Sequence, residues 1–508
     1  MPMRRLPSSV LGASGCLSHH LVRHSTSRSS PPSSTTPTAA KAAATTSRES
    51  AGKASGGGGQ EDDGDIVTPW TVIAKGPQGI NYDRVLTTFK AERVDAAARQ
   101  HIRDVIATCH VRATASVSAN DEAEKAAATG NGKTSSAGPT TTAASSGPAS
   151  ASASSPSPPP ALHHFFTRDI AFSHRDLHKA LKDIEATSEP GNHSAFLYTG
   201  RGPSAGSMHV GHVLPFLLTK YLQDVFHLPL VVQITDDEKY LFRDVPFEGE
   251  RADENIRSNI KDIIAFGFNP RHTFIFRNTQ YMGEMYTTVL PLQRSMTANA
   301  VKHTLGIVDS DNVGKFSFPA TQAAPCFSSA FRRVLQNGGK PMRCLIPCAI
   351  DQDPFFVLTR ASAARLKQPP PALLHTKFLP ALKGLEHKMS SSAEENGVIT
   401  LHDTDKQVRK KMRKAFSGGS GTLAQMQAKG ANLEVDVAYQ YLRFFCPDDA
   451  VFDEVTEKYS SGAMNSGEVK DLAAECIMQN VLRDWRARRA KVTDADLVHF
   501  CSIRNILF

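Results

Sequence analysis

FLYTGRGPSAGSMHVGHVLPFLLTKYLQDVFHLPLVVQI, residues 196–234, is the stretch that decides the fold class. Its first residues predict a short buried strand, and the glycine-rich run 200–206 predicts the loop that leaves this strand. Apolar residues recur at helical spacing after Met208, and the apolar run 228–234 predicts the next buried strand. This succession of strand, glycine-rich loop, helix and strand forms a nucleotide-binding βαβ unit. We therefore expect an α/β chain with a Rossmann-like, doubly wound parallel sheet.

The loop meets the helix at the motif His209-Val210-Gly211-His212. Histidines three residues apart project from the same face of a helical turn. Free amide groups and the positive end of the helix dipole lie at the same place, which favours a triphosphate. Gly211 has no Cβ, so a flat adenine or a ribose can approach the backbone. The motif predicts nucleotide binding by His209, Gly211 and His212, although by itself it is equally consistent with two surface histidines.

A second motif, Lys388-Met389-Ser390-Ser391-Ser392, lies in a stretch that should form a loop. The lysine offers a flexible phosphate-binding charge, and the serine hydroxyls can donate hydrogen bonds to pyrophosphate as negative charge builds during displacement. By itself the string is also consistent with a solvated loop that becomes phosphorylated. Together with the histidine motif, in this order in an α/β chain, it indicates an enzyme that activates its substrate with a nucleoside triphosphate.

The two motifs resemble the signatures of class I aminoacyl-tRNA synthetases, whose usual forms are His-Ile-Gly-His and Lys-Met-Ser-Lys-Ser. Five further strings resemble those of eukaryotic tryptophanyl-tRNA synthetases: DIVTPWTV at 65–72, YTGRGPS at 198–204, TDDEKYL at 235–241, FPATQAAP at 318–325 and IPCAIDQDP at 346–354. The resemblance runs from about Asp65 to the C-terminus, apart from a low-complexity segment. It implies activation of tryptophan with ATP, followed by transfer to tRNA(Trp), by a homodimer.

The resemblance also implies roles for individual residues. It assigns His209, His212 and Lys388 to catalysis of adenylate formation, in which the tryptophan carboxylate attacks the α-phosphate of ATP. Contacts with ATP are implied for the histidine and lysine motifs and for two further residues, Arg201 and Gln322. Contacts with the tryptophan ammonium, which complete the amino-acid pocket, are implied for Glu238 and Gln352.

The residues themselves predict a pocket for the tryptophan side chain. Gln233 interrupts an apolar strand, and a buried amide without a partner costs about 1–3 kcal/mol, so a bound substrate can be its partner. The indole N–H is only a donor, and the Gln233 carbonyl and the Tyr198 hydroxyl can both accept from it. Phenylalanine would leave both unpaired, which makes a separate editing domain unnecessary. The alternative is that Gln233 is a core amide satisfied by a neighbouring loop.

Metal and membrane predictions follow from composition. The eight cysteines are scattered, as is typical of a protein from a reducing compartment. Cys344 and Cys348 form the one close pair, with no second pair at zinc spacing, so we predict buried thiols and no zinc. Mg²⁺ should accompany ATP, because the triphosphate must be neutralised. No apolar run reaches the roughly eighteen residues that a membrane span needs, so we predict no membrane association.

The composition of the N-terminal region predicts a cellular location. Residues 1–48 contain no Asp or Glu, while Arg and Lys recur among many Ser, Thr and Ala residues. This composition is typical of a mitochondrial transit peptide, so we predict a disordered transit region at 1–63 and a mitochondrial location. The alternative is an ordinary disordered tail on a cytoplasmic protein.

Composition also divides the rest of the chain. Residues 64–194 are predicted to form an N-terminal extension, in which the Ala, Ser, Thr, Gly and Pro-rich stretch at about 111–161 is a disordered insertion. Residues 195–400 are predicted to form the Rossmann-fold catalytic domain. By the resemblance, residues 401–508 form an α-helical anticodon-binding domain whose last helix packs back on the catalytic domain.

Two basic runs lie in this C-terminal part, at 406–414 and 483–491, in a chain whose 58 Lys and Arg against 50 Asp and Glu give a net charge of +8. Such runs are usually solvated helix faces, but the resemblance predicts that part of the first run meets tRNA phosphates. After AFSGG the family typically has Arg-Asp, whereas this chain has Ser420-Gly421. From this departure and the predicted transit region we hypothesise relaxed anticodon reading, with UCA accepted beside CCA.

Three alternative functions remain open from the sequence. A tyrosyl-tRNA synthetase shares the fold and both signatures, although the TDDEKYL and AIDQDP strings favour tryptophan. A small-molecule adenylyltransferase can use a similar histidine motif but does not need a basic helical C-terminal domain. A non-catalytic RNA-binding paralogue would have no physical need for the two histidines, Lys388 and the pocket residues.

Overall fold

The computed structural model describes residues 65–76, 78–129, 157–187, 193–203, 207–243, 245–388, 397–419 and 422–507, with only the main chain at 116–129, 386–388 and 423. The strands in these ranges are β1 (Ile66–Val67), β2 (Val72–Ile73), β3 (Glu92–Arg93), β4 (Ala171–Arg175), β5 (Ala195–Arg201), β6 (Leu230–Ile234), β7 (Thr273–Arg277), β8 (Arg343–Ala349), β9 (Ala372–Thr376), β10 (Pro380–Ala381) and β11 (Gly384–Lys388).

The helices of the N-terminal and central parts are α1 (Tyr82–Phe89), α2 (Ala96–Thr129), α3 (His164–Thr167), α4 (Leu177–Glu185), α5 (Val210–Phe226), α6 (Glu238–Arg243), α7 (Glu250–Ile264), α8 (Asn278–Ser295), α9 (Ala298–Leu305), α10 (Val313–Ala323) and α11 (Asp353–Ser362). Those of the C-terminal part are α12 (Asp405–Arg413), α13 (Leu423–Lys429), α14 (Val437–Phe445), α15 (Asp449–Ser460), α16 (Ser466–Ile477), α17 (Arg483–Arg489) and α18 (Asp494–Cys501). A short 3₁₀ turn, Ile350–Gln352, leads into α11.

The predicted parallel sheet is confirmed. Its order is β3-β4-β9-β8-β5-β6-β7, and the five strands from β9 to β7 run parallel. Side chains alternate between the two faces along each strand. On β5, Leu197 packs into a core that also contains α4, α5 and α7, whereas Phe196 and Tyr198 pack into a second core with α8 and α10. Helices therefore cover both faces, as the doubly wound fold requires.

The N-terminal segment is part of this sheet, so its separation from the catalytic domain was wrong. β3 and β4 form the antiparallel edge, and β4 pairs with β9. Four of the five residues of β4 are buried. A strand buried on both faces needs neighbours that complete its backbone hydrogen bonds, which only the main sheet supplies. The hairpin of β1 and β2 meanwhile pairs with β11 in a second, four-stranded sheet.

The predicted insertion at 111–161 begins as helix, so disorder from residue 111 was wrong. α2 continues without interruption to Thr129. Alanine has the highest helix propensity, and extending an existing helix avoids the cost of nucleation. Residues 130–156 lie outside the described ranges. At 157 the chain is again described, and the Ser157 carbonyl oxygen lies 2.8 Å from His110 Nε2.

The C-terminal helices share a core with the catalytic sheet. Buried residues from α12, α14, α16 and α17 belong to the same hydrophobic cluster as those of α5 and α7. Trp485 of α17 is buried, and its indole N–H donates to the Asp262 carbonyl at 3.0 Å. α18 packs on α7 and β7. Among the helices that the structure describes, none is long and apolar enough to cross a membrane.

Candidate active site

The histidine motif lies where β5 delivers the chain to α5. His209 is the N-cap residue, with φ −88° and ψ 160°, and its carbonyl accepts from the His212 amide at 2.9 Å. The two imidazole rings stack with their centroids 3.6 Å apart and their planes 23° apart. The structure therefore brings both rings to the same side of the helix start, next to amides that the helix cannot satisfy itself.

The segment that follows the lysine motif pairs with the histidine motif. The Val210 amide donates to the Ile399 carbonyl, and the Leu401 amide donates to the Met208 carbonyl, both at 2.9 Å. His209 and Thr400 form an antiparallel bridge. Residue 388 ends β11, which brings the chain into the lysine motif. The backbone on the C-terminal side of this motif is thus fixed against the start of α5.

Part of the lysine motif cannot be placed in the site. Met389, Ser390, Ser391 and Ser392 lie outside the described residues. For Lys388 only the main chain is described. Their roles in binding ATP stay predictions.

A cavity of about 350 Å³ opens between β5, α5, α10 and α11. Eight of the predicted site residues line it: Tyr198, Arg201, His209, Gly211, His212, Glu238, Gln322 and Gln352. Gln233 is fully buried and hydrogen-bonded to Tyr198. One continuous space therefore joins the histidine motif to the predicted amino-acid pocket.

Hydrogen bonds join the polar residues of the predicted amino-acid pocket. The Tyr198 hydroxyl donates to Gln233 Oε1 at 2.6 Å and accepts from Gln322 Nε2 at 3.0 Å. Gln233 Nε2 donates to Asn278 Oδ1 at 2.8 Å. Gln233 is thus a satisfied core amide, which is the alternative left open by the sequence. Its hydrogen bond positions the Tyr198 hydroxyl. Gln322 contacts the Tyr198 hydroxyl, and its predicted contact with ATP stays a prediction.

Arg201 ends β5 and turns its guanidinium towards α7. Its Nε donates to Asn259 Oδ1 at 3.2 Å. Burial lowers the pKa of Arg201 to about 10, although the carboxylates of Glu238 and Asp262 oppose this change. Its Nη2 is buried with no hydrogen-bond partner among the described residues. A buried, unpaired donor on a cation is costly, so an anionic ligand is the expected partner.

Glu238 and Gln352 enter the cavity from two different turns. Glu238 starts α6 and accepts from Thr235 Oγ1 at 2.7 Å. A Cβ on Gly202 would lie 2.8 Å from Glu238 Oε2, so a side chain at that position would displace the carboxylate. Gln352 precedes α11, whose first residue, Asp353, is held by an ion pair with Arg175 at 2.7 Å.

Comparison with known proteins identifies the family. Residues 190–481 match the family described as tRNA synthetases class I (W and Y). The cytoplasmic tryptophan–tRNA ligase of Dictyostelium discoideum is 46% identical over 353 residues, which are 68% of this chain and 85% of that protein. The cytoplasmic enzyme of Homo sapiens is 40% identical over 448 residues, which are 87% of this chain and 82% of that protein.

A solved structure agrees. The tryptophanyl-tRNA synthetase of Encephalitozoon cuniculi, bound to tryptophan, matches with a TM-score of 0.67 and 34% identity over 84% of this chain and 99% of that one. The chain belongs to the tryptophanyl-tRNA synthetases. The resemblance inferred from the motifs is confirmed, and the tyrosyl, adenylyltransferase and non-catalytic alternatives are not favoured.

The mitochondrial location predicted from the N-terminus is wrong by this comparison. The relatives from Dictyostelium discoideum, Homo sapiens and Schizosaccharomyces pombe are all cytoplasmic tryptophanyl-tRNA synthetases. A tail rich in Arg, Ser, Thr and Ala is also compatible with ordinary disorder, and composition alone carried the prediction. The hypothesis of UCA reading loses one of its two grounds with it, keeps the departure at Ser420-Gly421, and stays a prediction. Residues 1–63 and Ser420-Gly421 lie outside the described residues.

Trp70 is a cavity residue for which the sequence predicted no role. Trp70 follows β1, lines the cavity and stacks on Phe242, with ring centroids 4.3 Å apart. Its indole N–H donates to the Leu305 carbonyl at 3.0 Å. The signal was present, because Trp70 stands in the string DIVTPWTV, but nothing in the sequence placed that string beside α6.

The two basic runs behave differently. In the second run, Arg489 Nε donates to the buried carboxylate of Asp262 at 2.7 Å, and Arg486 pairs with Asp405 at 2.5 Å. These two residues join α17 to its neighbours, whereas Arg483, Arg488 and Lys491 are exposed, as a solvated face predicts. In the first run, Lys411 is buried in an ion pair with Asp403, whereas four others are exposed: Lys406, Lys410, Arg413 and Lys414.

The cysteine pair lies inside the sheet. Cys344 and Cys348 are both buried on β8, and burial raises the pKa of both thiols well above the usual value. Within the described ranges, no three or more His, Cys, Asp or Glu side chains are grouped so that they could hold a metal ion.

Proposed function

We propose that this tryptophan–tRNA ligase binds ATP and tryptophan end to end in the cavity between α5 and α10. The histidine motif and Arg201 would bind the nucleotide, and Tyr198 would mark the indole end. The observation that carries this proposal is the pairing of Val210 with Ile399, because it joins the chain around the two signature motifs at one end of the cavity.

The nucleotide end offers donors and positive charge. The start of α5 presents a positive dipole that favours phosphate, although the Val210 and His212 amides are already bonded to the Ile399 and His209 carbonyls. Arg201 adds a buried guanidinium nitrogen with no partner among the described residues. His209 and His212 stack beside them. Mg²⁺ would arrive on the triphosphate, bound mainly by phosphate oxygens and water, as is usual for this ion.

The amino-acid end offers acceptors. The Tyr198 oxygen would accept the indole N–H. Gln322 turns its Nε2 to Tyr198, so its carbonyl oxygen is the atom it can offer to the substrate ammonium. The carboxylate of Glu238 and the amide of Gln352 line the same cavity. The tryptophan carboxylate would then face the nucleotide, as in-line attack on the α-phosphate requires.

The chemistry consists mainly of positioning and charge stabilisation. Attack by the carboxylate forms tryptophanyl-adenylate and releases pyrophosphate. A hydroxyl of the tRNA terminal ribose then takes the tryptophanyl group and releases AMP. No protein side chain needs to act as a nucleophile. The two histidines and Lys388 would donate to phosphate oxygens as negative charge builds on them.

The test of this proposal is pyrophosphate exchange with tryptophan and with tyrosine. Exchange that depends on tryptophan, together with weak or no exchange with tyrosine, would support the assignment. Exchange with tyrosine at a comparable rate would contradict it. A matched Tyr198→Phe variant, which keeps the ring and removes the hydroxyl, should lose affinity for tryptophan and keep its affinity for ATP.

We propose that the exposed face of α12 contacts tRNA through Lys406, Lys410 and Lys414. Phosphate contacts contribute affinity that falls with salt. Lys410→Glu should raise the KM for tRNA and leave tryptophan-dependent pyrophosphate exchange unchanged. The exposed Lys458, on α15, gives a control in Lys458→Glu. Equal effects of both variants would remove α12 from the proposed tRNA surface.

We also propose that the enzyme acts as a homodimer, which the family implies. Light scattering coupled to size-exclusion chromatography would measure its mass directly. A monomer at working concentration that retains full aminoacylation activity would contradict this proposal.

A further inference from the structure

The hydrogen bonds of the amino-acid pocket continue behind Gln233 to a carboxylate. Asn278 accepts from Gln233 through Oδ1, and its Nδ2 donates to Asp237 Oδ1 at 2.8 Å. The chain of hydrogen bonds thus runs from Gln322 through Tyr198, Gln233 and Asn278 to Asp237. Tyr198 lines the cavity, whereas Asn278 is buried.

The sheet brings these residues together. Gln233 lies opposite Phe276 in the parallel pairing of β6 with β7. Asn278 is the first residue of α8, directly after β7. Asp237 lies in the turn that follows β6. The carboxylate of its neighbour Asp236 accepts other hydrogen bonds, from Arg277 Nε at 2.9 Å and from Thr279 Oγ1 at 2.5 Å.

The chain of hydrogen bonds has a fixed direction because it ends on a carboxylate. An ionised carboxylate only accepts, so Asn278 must turn its NH₂ to Asp237 and its carbonyl to Gln233. Gln233 must then turn its NH₂ to Asn278 and its carbonyl to Tyr198. This reasoning uses only which groups can donate, and does not depend on how the amide ends are assigned.

The direction of the chain of hydrogen bonds decides what Tyr198 presents to the cavity. Its hydroxyl hydrogen points to the Gln233 carbonyl, so towards the cavity Tyr198 presents an oxygen that can only accept. The opposite direction would point the hydroxyl hydrogen towards the cavity. A pocket of that kind would face the indole N–H with a donor and leave two donors opposed, which costs about 1–3 kcal/mol for the unmade bond.

We propose that Asp237 and Asn278 are positioning residues that set the direction of this chain of hydrogen bonds, so that Tyr198 presents an acceptor to the indole N–H. The proposal rests on the proposed function, because it concerns tryptophan bound at Tyr198. It assigns specificity for an N–H donor to two residues that do not touch the substrate.

The charge on Asp237 is consistent with this role at neutral pH. Burial raises the pKa of Asp237 to about 6, with further upward contributions from Asp236 and Glu238, while the hydrogen bond from Asn278 opposes the rise. The carboxylate is therefore mostly ionised at pH 7. Hydrogen bonds in a buried chain also polarise one another, which strengthens the preferred direction.

The experiment compares two ligands by calorimetry: tryptophan, and its benzothiophene analogue, in which sulfur replaces the indole N–H. Asp237→Asn keeps the shape of the side chain but adds a donor, so the direction is no longer imposed. We expect the dissociation constant of tryptophan to rise about tenfold and that of the analogue to change by less than about twofold. General damage to the pocket would instead weaken both ligands equally.

The exchange of the two residues provides a rescue. In the double variant Asp237→Asn with Asn278→Asp, the carboxylate moves one step along the chain and still accepts from Gln233. Preference for tryptophan over the analogue should return towards that of the wild type. Asn278→Leu, which removes the link without supplying an acceptor, should behave like Asp237→Asn.

Two results would overturn the inference. One is an unchanged preference for tryptophan in Asp237→Asn; the other is a double variant no better than that single variant. Failure of the proposed function has a different signature, since the wild type itself would then show no tryptophan-dependent pyrophosphate exchange. The double variant and the calorimetry of Asn278→Leu keep the test available if Asp237→Asn does not fold.

Discussion

His209 and His212 stack face to face at the start of α5, with ring centroids 3.6 Å apart. His209 is almost fully buried, and its main chain pairs with Thr400, beyond the lysine motif. The rings are thus fixed by packing and by backbone pairing before any ligand arrives. Preorganised donors of this kind stabilise charge without having to reorganise during the reaction.

His212→Ala should therefore slow adenylate formation by about 10²-fold, because a donor to the developing phosphate charge is lost. Tryptophan affinity should change little, since Tyr198 and its hydrogen bonds are untouched. Pyrophosphate exchange and tryptophan calorimetry measure the two effects. The exposed His178, on α4, supplies the control His178→Ala. Exchange in His212→Ala within about twofold of that control would remove His212 from the catalytic set.

Lys388→Ala should slow adenylate formation by about 10² to 10³-fold with little change in tryptophan affinity. The reason is that the lysine charge is needed on pyrophosphate and not on the amino acid. Lys383→Ala, at an exposed position just before β11, is the matched control. Near-normal pyrophosphate exchange in Lys388→Ala would refute the proposed role.

Tryptophan affinity should fall as the pH falls through about 6, where Asp237 gains a proton. Because the pKa of this carboxyl is raised, the acceptor-only form exists above that pH and is lost below it. The charged groups around it are Asp236, with its partner Arg277, and Glu238. Calorimetry with the benzothiophene analogue is the control, and its affinity should stay level over the same range. A parallel decline of both ligands would contradict the prediction.

Asp353→Asn should destabilise the protein by about 3 kcal/mol, because the Arg175 charge would lose its buried partner. Asp309→Asn, in an exposed pair with Lys302, should cost only about 0–1 kcal/mol. Urea unfolding of both variants gives the comparison. A loss for Asp353→Asn no larger than that for Asp309→Asn would show that the buried pair contributes little.

The ion pair of Arg175 with Asp353 also predicts how the stability of the protein changes at acid pH. Burial raises the pKa of Asp353, but hydrogen bonds from Arg175 and His375 outweigh it, and the net pKa lies below the usual 3.8. Its contribution is therefore present above pH 3.8 and is lost as the pH falls through the lower, folded pKa. Asp353→Asn should flatten this part of the stability profile.

Trp70→Phe and Trp70→Ala should separate hydrogen bonding from packing. The phenyl ring keeps the stack on Phe242 and loses only the bond to Leu305, at a cost of about 1 kcal/mol. Alanine loses the ring as well, at a cost of about 3 kcal/mol. Urea unfolding measures both. Equal losses would mean that the ring contributes nothing beyond its N–H.

Many of the residues that line the cavity could be predicted because they stand in short sequence motifs. The glycine-rich loop and the helical spacing after Met208 predicted the βαβ unit. The acceptor chemistry of Tyr198 pointed to a residue that does line the cavity, and its contact with the indole stays a prediction. The amide of Gln233 was harder. Whether a buried amide meets a ligand or a neighbour depends on Asn278, which is 45 residues away in sequence and becomes adjacent only through the pairing of β6 with β7.

The same limit explains the other errors. The local sequence of residues 171–175 does not indicate that they pair with β9. The local sequence of residues 483–491 does not indicate that Arg489 contacts the buried carboxylate of Asp262. Charge runs and low-complexity stretches are local descriptions, whereas the partners that decide their structure are distant. The error at the alanine-rich end of α2 was to predict disorder from a low-complexity composition. A helix that has already formed can be extended through such residues at little cost.

The antiparallel pairing of β4 with β9 also bears on synthesis. Ser173 and His375, hydrogen-bonded across these strands at 2.9 Å, are 202 residues apart in sequence. At translation rates of about 5–20 residues per second, β4 leaves the ribosome about 10–40 seconds before its partner. During that interval a strand made of buried residues has an unfilled edge. Until the second half of the sheet has been made, this edge is open to pairing with strands of other chains.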